Sequence, residues 1–319
     1  MTVDFSIDER FTLGGIHHVT AITSSAQKIY DFMTDILGLR LAKKTVNQDD
    51  YETFHLYFTD EDGNAGTDMT FFDFPNIPKG TKGTNNIDRV SFRVPSDASV
   101  DYWLERLDSF HVSHGEVYDF FGKKAFDFED FDEQYYRILS DEKNTGVKGG
   151  VTWTKSNVDK AHGIIGLGTL TVKAANMEHM DLVMSDVLGF RKVSEEGNQT
   201  LYEVAEGGNG AGVVIQHEPD LEQAWQGYGN IHHLALRIPT FEGLQYWIER
   251  LNNFRFPNSG FVDRFYFSSE YVQVAPQVLF EIATDTPGEA ALEMAKNGEG
   301  KVSGYDEALH TSGFWIDET

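Results

Sequence analysis

The sequence predicts an α+β chain made of four copies of one β-α-β-β-β module. Two internal repeats and a pair of His-His dipeptides carry that prediction. Asp31-Phe32-Met33-Thr34-Asp35-Ile36-Leu37-Gly38 returns as Asp181-Leu182-Val183-Met184-Ser185-Asp186-Val187-Leu188-Gly189, so that Leu37 and Leu188 lie 151 residues apart. Tyr102-Trp103-Leu104-Glu105-Arg106-Leu107 returns as Tyr246-Trp247-Ile248-Glu249-Arg250-Leu251, with Trp103 and Trp247 separated by 144. Such similar offsets mean that a two-module unit has been duplicated in tandem. Ile16-His17-His18-Val19 and Ile231-His232-His233-Leu234 mark the first and fourth modules.

Each module opens with a strand, expected over Ile16 to Thr23, Arg89 to Val94, Gly168 to Lys173 and His232 to Ile238. An amphipathic helix follows, with polar starters such as Ser24-Ser25 and Ser96-Asp97, and Gly38 or Gly189 as its stop. Three shorter strands complete the module. In the first these include Thr53 to Thr59 and Met69 to Phe74, parted by the turn Asp60-Glu61-Asp62-Gly63-Asn64; in the fourth, Gly260 to Phe267 and Val278 to Thr284.

A chain of 319 residues suits two domains or one large one. The repeats divide it into 14–140 (modules 1 and 2), 162–288 (modules 3 and 4) and an acidic tail, 289–319. A formal charge of −25 argues against nucleic acid and anionic membranes as partners, since both need a basic patch. No apolar run reaches membrane-spanning length and Met1 to Arg10 is unlike a signal peptide, so the cytoplasm is the expected location. Cysteine is absent, which leaves His, Asp and Glu to hold any metal. Nothing in the composition opposes a homo-oligomer.

Alternation along a strand separates the paired histidines onto opposite faces. His232, Leu234 and Leu236 share an apolar face suited to packing under a helix, and His233 shares the other with Ala235. His18, Thr20 and Ile22 likewise oppose His17, Val19 and Ala21. In Leu279-Phe280-Glu281-Ile282, Glu281 lies opposite the large apolar Phe280 and Ile282. A buried carboxylate there needs a partner, and a metal shared with two imidazoles supplies one.

Four β-α-β-β-β units with His on the first strand and Glu on the last resemble the vicinal oxygen chelate superfamily over residues 14 to 288. The resemblance implies that pairs of modules curl into two open eight-stranded barrels, one of them around a metal. It narrows at the C-terminal end. Asp263-Arg264-Phe265-Tyr266-Phe267, Tyr271-Val272 and Leu279-Phe280-Glu281-Ile282-Ala283-Thr284-Asp285-Thr286-Pro287-Gly288 are similar to the signature of ring-cleaving hydroquinone dioxygenases. His55-Leu56-Tyr57-Phe58 is a less specific match.

Fitting the modules onto one another tests the site. Module 1 has His18, with Phe71 expected, to within one residue, where Glu281 stands in module 4; module 2 has Arg89 and Arg137 at these places; module 3 has no histidine on its first strand and Gln216 near its end. Only His18, His233 and Glu281 survive as metal ligands, so modules 1 and 4 are expected to share a barrel, and modules 2 and 3 to form a metal-free one. Two His and one carboxylate on one face form the facial triad of non-haem Fe(II) oxygenases, with Mn(II) as the alternative metal. Phe71 removes the fourth ligand of glyoxalases, and Asp73 is the candidate that could restore it. Thr20, on the cavity face, is placed to hydrogen-bond substrate. The resemblance assigns substrate contact to Tyr271 and Arg264, and puts His17 and His232 near the site, where one could relay a proton. His55, His111, His114, His162, His179, His217 and His310 receive no ligand role.

The expected activity is therefore Fe(II)-dependent cleavage of a hydroquinone-type ring, with a small aromatic and O2 as partners. The rivals are catechol extradiol cleavage, another metal-dependent chemistry of the same superfamily, and sequestration of an aromatic ligand without turnover.

Overall fold

A computed structural model describes residues 5–46, 52–264 and 267–285. Phe265, Tyr266, Thr286, Pro287 and Gly288 of the signature, His310 and the tail 289–319 lie outside them.

Module 1 comprises β1 (Ile16–Ile22), α1 (Ala26–Asp31), β2 (Arg40–Val46), β3 (Phe54–Thr59) and β4 (Asp68–Asp73). Module 2 comprises β5 (Asn86–Val94), α2 (Asp97–Ser109), β6 (Tyr118–Phe120), β7 (Lys123–Glu129) and β8 (Tyr135–Ser140). Module 3 has β9 (Gly166–Ala174), α3 (Met177–Asp181), β10 (Arg191–Glu196), β11 (Gln199–Glu203) and β12 (Gly212–His217). Module 4 has β13 (Ile231–Ile238), α4 (Phe241–Asn253), β14 (Val262–Asp263), β15 (Ser268–Ala275) and β16 (Val278–Thr284).

The helices start and stop for the reasons the sequence offers. Ser25 and Ser96 cap α1 and α2 by accepting from the backbone N–H groups of Lys28 and Ser99, and Thr240 does the same for α4. After α1 and α3 the chain runs on through a π-type turn, and Gly38 and Gly189 then take positive φ, 68° and 76°, which glycine adopts without steric cost.

Two eight-stranded sheets result. One has the order β14-β15-β16-β13-β1-β4-β3-β2 and joins modules 4 and 1; the other, β10-β11-β12-β9-β5-β8-β7-β6, joins modules 3 and 2. Each sheet thus takes one module from either side of the sequence division at 14–140 and 162–288. The repeated Trp-x-x-Arg explains how both groupings coexist. Trp103 and Trp247 are fully buried, each donating its indole N–H to a backbone carbonyl, of His162 and Phe11 respectively. Arg106 on α2 donates to the carbonyls of Asp35 and Ile36 at the end of module 1's helical turn. Arg250 on α4 does the same to Asp186 and Val187 of module 3. Arginines therefore stitch modules 1 to 2 and 3 to 4, while the sheets pair 1 with 4 and 2 with 3.

One expected strand differs. Among its described residues, the segment Gly260 to Phe267 contributes the two residues of β14, and the Arg264 N–H then turns back to donate to the Phe267 carbonyl. The strand beside β16 is β15, and it carries Tyr271 directly opposite Glu281.

Candidate metal centre

The join between β1 and β13 is irregular at both histidine pairs. On β1, Ile16 and His18 oppose the consecutive residues Leu236 and Ala235, which leaves His17 as an extra residue; on β13, His233 and Ile231 oppose Thr20 and Ala21, which leaves His232 as another. A bulge re-aims side chains that strict alternation would send to opposite faces. His17 and His232, expected to point away from the site, instead turn their rings onto their neighbours. Nδ1 of His17 lies 2.9 Å from Nδ1 of His18, and Nδ1 of His232 lies 2.8 Å from Nδ1 of His233. Burial, then the adjacent histidine, pushes both outer rings down to about 3, so they stand neutral.

His18, His233 and Glu281 meet in the middle. The two Nε2 atoms are 3.2 Å apart, and Oε2 of Glu281 lies 3.2 Å from that of His18 and 3.0 Å from that of His233. All three residues are buried. Burial alone would raise the Glu281 carboxyl, but His18 and His233 bring it well below the usual range. Neither of its oxygens has a hydrogen-bond partner among the described residues. Three donors meeting this closely fit a cation: ligands at right angles with bonds of about 2.1 Å are about 3 Å apart. With a proton on Nδ1 shared toward the neighbouring histidine, each Nε2 is left with a lone pair aimed inward, as a metal requires. The residues present fit a divalent ion.

The register identifies what each module supplies. Two residues after His233, Ala235 pairs with Glu281, which pairs with Tyr271. Two residues after His18, Thr20 pairs with Thr70, which pairs with Tyr57. The counterpart of Glu281 in module 1 is therefore Thr70 and not Phe71, a slip of one residue. Asp73 does not restore a fourth ligand: its side chain accepts from the Ala26 N–H at the start of α1.

Tyr271 stands edge-on to the His233 ring at 5.5 Å and accepts a 3.1 Å hydrogen bond from Nε of Arg264, whose guanidinium lies 5.1 Å from its ring centre. Burial and then Glu281 raise the phenol, so it keeps its proton at neutral pH. Thr20 Oγ1 is 2.9 Å from Nε2 of His233. Phe267 lies over His17 and His18, with centroids 5.5 and 5.6 Å away, and Phe72 stands across the site against His232 at 5.6 Å. All five accessory residues expected from the sequence (His17, Thr20, His232, Arg264, Tyr271) thus gather around the three donors.

His55 was read as structural and belongs here too. Its Nε2 is 2.9 Å from Thr70 Oγ1, and its Nδ1 is 2.9 Å from the hydroxyl of Tyr57. Lys43 and Asp68 complete this wall; burial lowers the lysine and raises the carboxyl, each to about 7. The available signal was the alternation of His55 and Tyr57 on β3, which puts both on the face of Thr70. Three of the other described histidines bond elsewhere: His162 bonds Ser99, His114 bonds Asp108, and His179 bonds the Val274 carbonyl.

The Glyoxalase/Bleomycin resistance protein/Dioxygenase superfamily profile matches residues 15–140. Bacillus subtilis (strain 168) MhqA, whose name carries a provisional assignment as a ring-cleaving dioxygenase, is 35% identical over 281 residues, covering 86% of this chain and 88% of that protein. The chlorohydroquinone/hydroquinone 1,2-dioxygenase of Sphingobium indicum is 31% identical, with 84% of each chain covered. Among solved structures, a Bacillus subtilis protein described provisionally as a dioxygenase superposes with a TM-score of 0.82 at 29% identity, over 96% of this chain and 97% of its own.

Proposed function

Because the chain belongs to the glyoxalase/bleomycin resistance protein/dioxygenase superfamily, we propose that it is a dioxygenase that opens a hydroquinone-type aromatic ring, with Fe(II) held by His18, His233 and Glu281. The observation that carries this reading is the unequal donor set. Module 4 supplies a carboxylate at the position where module 1 supplies only the hydroxyl of Thr70, so three ligands occupy one side and the other side is left for reactants. When bound, the metal supplies a common anchor for substrate and O2 and a route for electron density between them.

The chain's own residues prepare that anchor. His17 and His232 fix the tautomers of His18 and His233 through the paired Nδ1 atoms. Phe267 and Phe72 give apolar surfaces for the aromatic ring. Arg264 orients the Tyr271 hydroxyl and offers a cation to a phenolate. Tyr271, protonated at neutral pH, donates its hydrogen bond to oxygen that gains charge as the ring opens.

No helix among the described residues is long and apolar enough to cross a membrane. This reading puts the enzyme in the cytoplasm, takes 14–140 and 162–288 as its duplicated units, and leaves 289–319 outside the chemistry. Protein purified without oxygen, loaded with Fe(II) or Mn(II) and fed hydroquinone or catechol, tests the proposal through oxygen uptake and product absorbance. Uptake with Fe(II) and hydroquinone is expected. Turnover of catechol alone, or with Mn(II) alone, would shift the assignment to the corresponding rival, and no uptake under any condition would remove it.

A further inference from the structure

A continuous hydrogen-bonded chain leads away from the three donors through module 1. Nε2 of His233 is 2.9 Å from Thr20 Oγ1, which is 2.8 Å from Thr70 Oγ1, which is 2.9 Å from Nε2 of His55. Nδ1 of His55 then meets the Tyr57 hydroxyl at 2.9 Å. Both threonines are fully buried, whereas His55 and Tyr57 are half-buried on the wall of the sheet's hollow. Tyr57 occupies in module 1 the position that Tyr271 holds in module 4. The two halves of the site thus carry a tyrosine each, but only the half that lacks the carboxylate ligand connects its tyrosine inward through a histidine and two hydroxyls.

We propose that His55 receives the proton lost by the substrate's hydroxyl, relayed through Thr20 and Thr70. This rests on the ring-cleavage reading. The substrate O–H bond breaks and its proton passes to Thr20 Oγ1; the proton of Thr20 passes to Thr70, and that of Thr70 to Nε2 of His55. The products are a phenolate and an imidazolium whose Nδ1–H donates to Tyr57. A resting ring with its proton on Nδ1 has the lone pair on Nε2 that this transfer requires. Burial above all holds the resting His55 ring well below the usual imidazole range, so it waits neutral. The groups that bear on it are Tyr57 from its own strand, Lys43 from β2, His18 from β1, and His233 and Glu281 from module 4. Glu281 favours the imidazolium, Lys43 and the ligand histidines oppose it, and the phenolate left in the site compensates it.

Four variants and one spectrum test the relay. His55→Gln keeps a donor and an acceptor at the same place but cannot take up a proton. Thr70→Val cuts the chain, and Thr70→Ser restores it. With Fe(II)-loaded protein, His55→Gln, His55→Phe and Thr70→Val should each lower kcat/KM for hydroquinone at pH 7 by about 10²–10⁴-fold. In each, kcat/KM should then rise about tenfold per pH unit as the substrate ionises without help. Thr70→Ser should stay near the wild type, and metal content per chain should be unchanged in all. Independently of turnover, ¹⁵N shifts of His55 in protein loaded with diamagnetic Zn(II), where the metal takes the His233 lone pair and frees the Thr20 proton for Thr70, should report a proton on Nδ1 and a bare Nε2. Wild-type rate and pH profile in His55→Gln would reduce His55 to packing and overturn the relay, as would a resting Nε2–H. A wild type that consumes no oxygen with hydroquinone overturns the relay and the ring-cleavage reading together. An active wild type with an unaffected Thr70→Val overturns the relay alone.

Discussion

The two sheets place opposite charges at the same register. In the sheet of modules 4 and 1, Ala235 pairs with Glu281 and Glu281 with Tyr271. In the sheet of modules 2 and 3, Ser91 pairs with Arg137 and Arg137 with Asp127, so a guanidinium stands where the carboxylate does, and Arg89 takes the place of His233. Arg137 is 2% exposed, donates from Nε to Tyr118 (2.6 Å) and Asp127 (3.1 Å), and lies 3.7 Å from the Phe120 ring centre. Arg89 reaches the same Asp127 at 3.3 Å. One scaffold therefore solves one electrostatic problem in two ways. Where the cation belongs to the chain, the neighbouring carboxylate, Asp127, is already paired with Arg137 and Arg89. Where the chain supplies only lone pairs and an anion, at His18, His233 and Glu281, the cluster suits a metal ion.

The sharpest way to break this comparison is to remove a lone pair. His233→Ala or Glu281→Ala should abolish metal retention and activity while the far-ultraviolet circular dichroism stays that of the wild type, because the core beneath these strands is apolar. Metal analysis after gel filtration, beside oxygen uptake, reads both effects. Full metal occupancy in His233→Ala would dismiss the three-donor site.

Next in size is Tyr271→Phe, which alters the chemistry without altering the ligands. Loss of one hydrogen bond to charge that develops in the transition state costs about 10²-fold or more in rate. Steady-state kinetics on metal-replete Tyr271→Phe should show kcat and kcat/KM falling together. If both constants match the wild type, the Arg264–Tyr271 contact is packing.

The sequence disclosed the clustering of the three donors more fully than their surroundings, and the reason is geometric. His18, His233 and Glu281 were legible because each lies on an alternating strand, and because the repeats allowed the modules to be superposed. The same superposition required modules 1 and 4 to share a sheet, as they do. It failed by one residue at Thr70, since nothing local to β4 reveals whether Thr70 or Phe71 faces inward when both are buried. His17 and His232 were misdirected by the alternation rule itself, because a bulge is a property of two strands and is absent from the pattern of either one. His55 was passed over because its partners, Thr70 and Tyr57, are set by pairing β3 with β4.

Arg137→Met examines the chain-borne cation. The guanidinium is buried, but the Asp127 side chain is about one-third exposed (32%) and retains Arg89, so water and Arg89 relieve much of the lost pairing. A loss of about 1–3 kcal/mol in unfolding free energy is expected, for the Tyr118 hydroxyl and Asp127 left short of a donor. Oxygen uptake per folded molecule should be unchanged, because His18, His233 and Glu281 lie in the other sheet. A variant of wild-type stability would show that Arg137 only fills space.

Glu270 yields the most specific effect. It sits beside Tyr271 on β15 but faces the opposite way, fully buried, with neither carboxyl oxygen hydrogen-bonded among the described residues. The register makes its counterparts Leu56 in module 1 and Phe126 in module 2, both apolar and fully buried. Module 4 alone of these three puts a carboxyl in that place. Burial raises it from 4.5 to about 8, so the folded chain holds a proton there that the unfolded chain gives up near pH 4.5. Between these values the folded state binds more protons than the unfolded state, and stability falls as pH rises; above about pH 8 the two bind equally and the dependence ends. At pH 7 the cost is about 3 kcal/mol, from 1.36 kcal/mol per pKa unit. Glu270→Leu, which installs the residue of module 1, should therefore raise unfolding free energy by about 2–3 kcal/mol at pH 7, the lower figure allowing for strain in a core built around a different shape. The gain should shrink toward pH 5 and level off above pH 8. Urea unfolding at pH 5, 7 and 8.5 measures it. A gain that does not change with pH would mean that leucine packs better and that the carboxyl never held its proton.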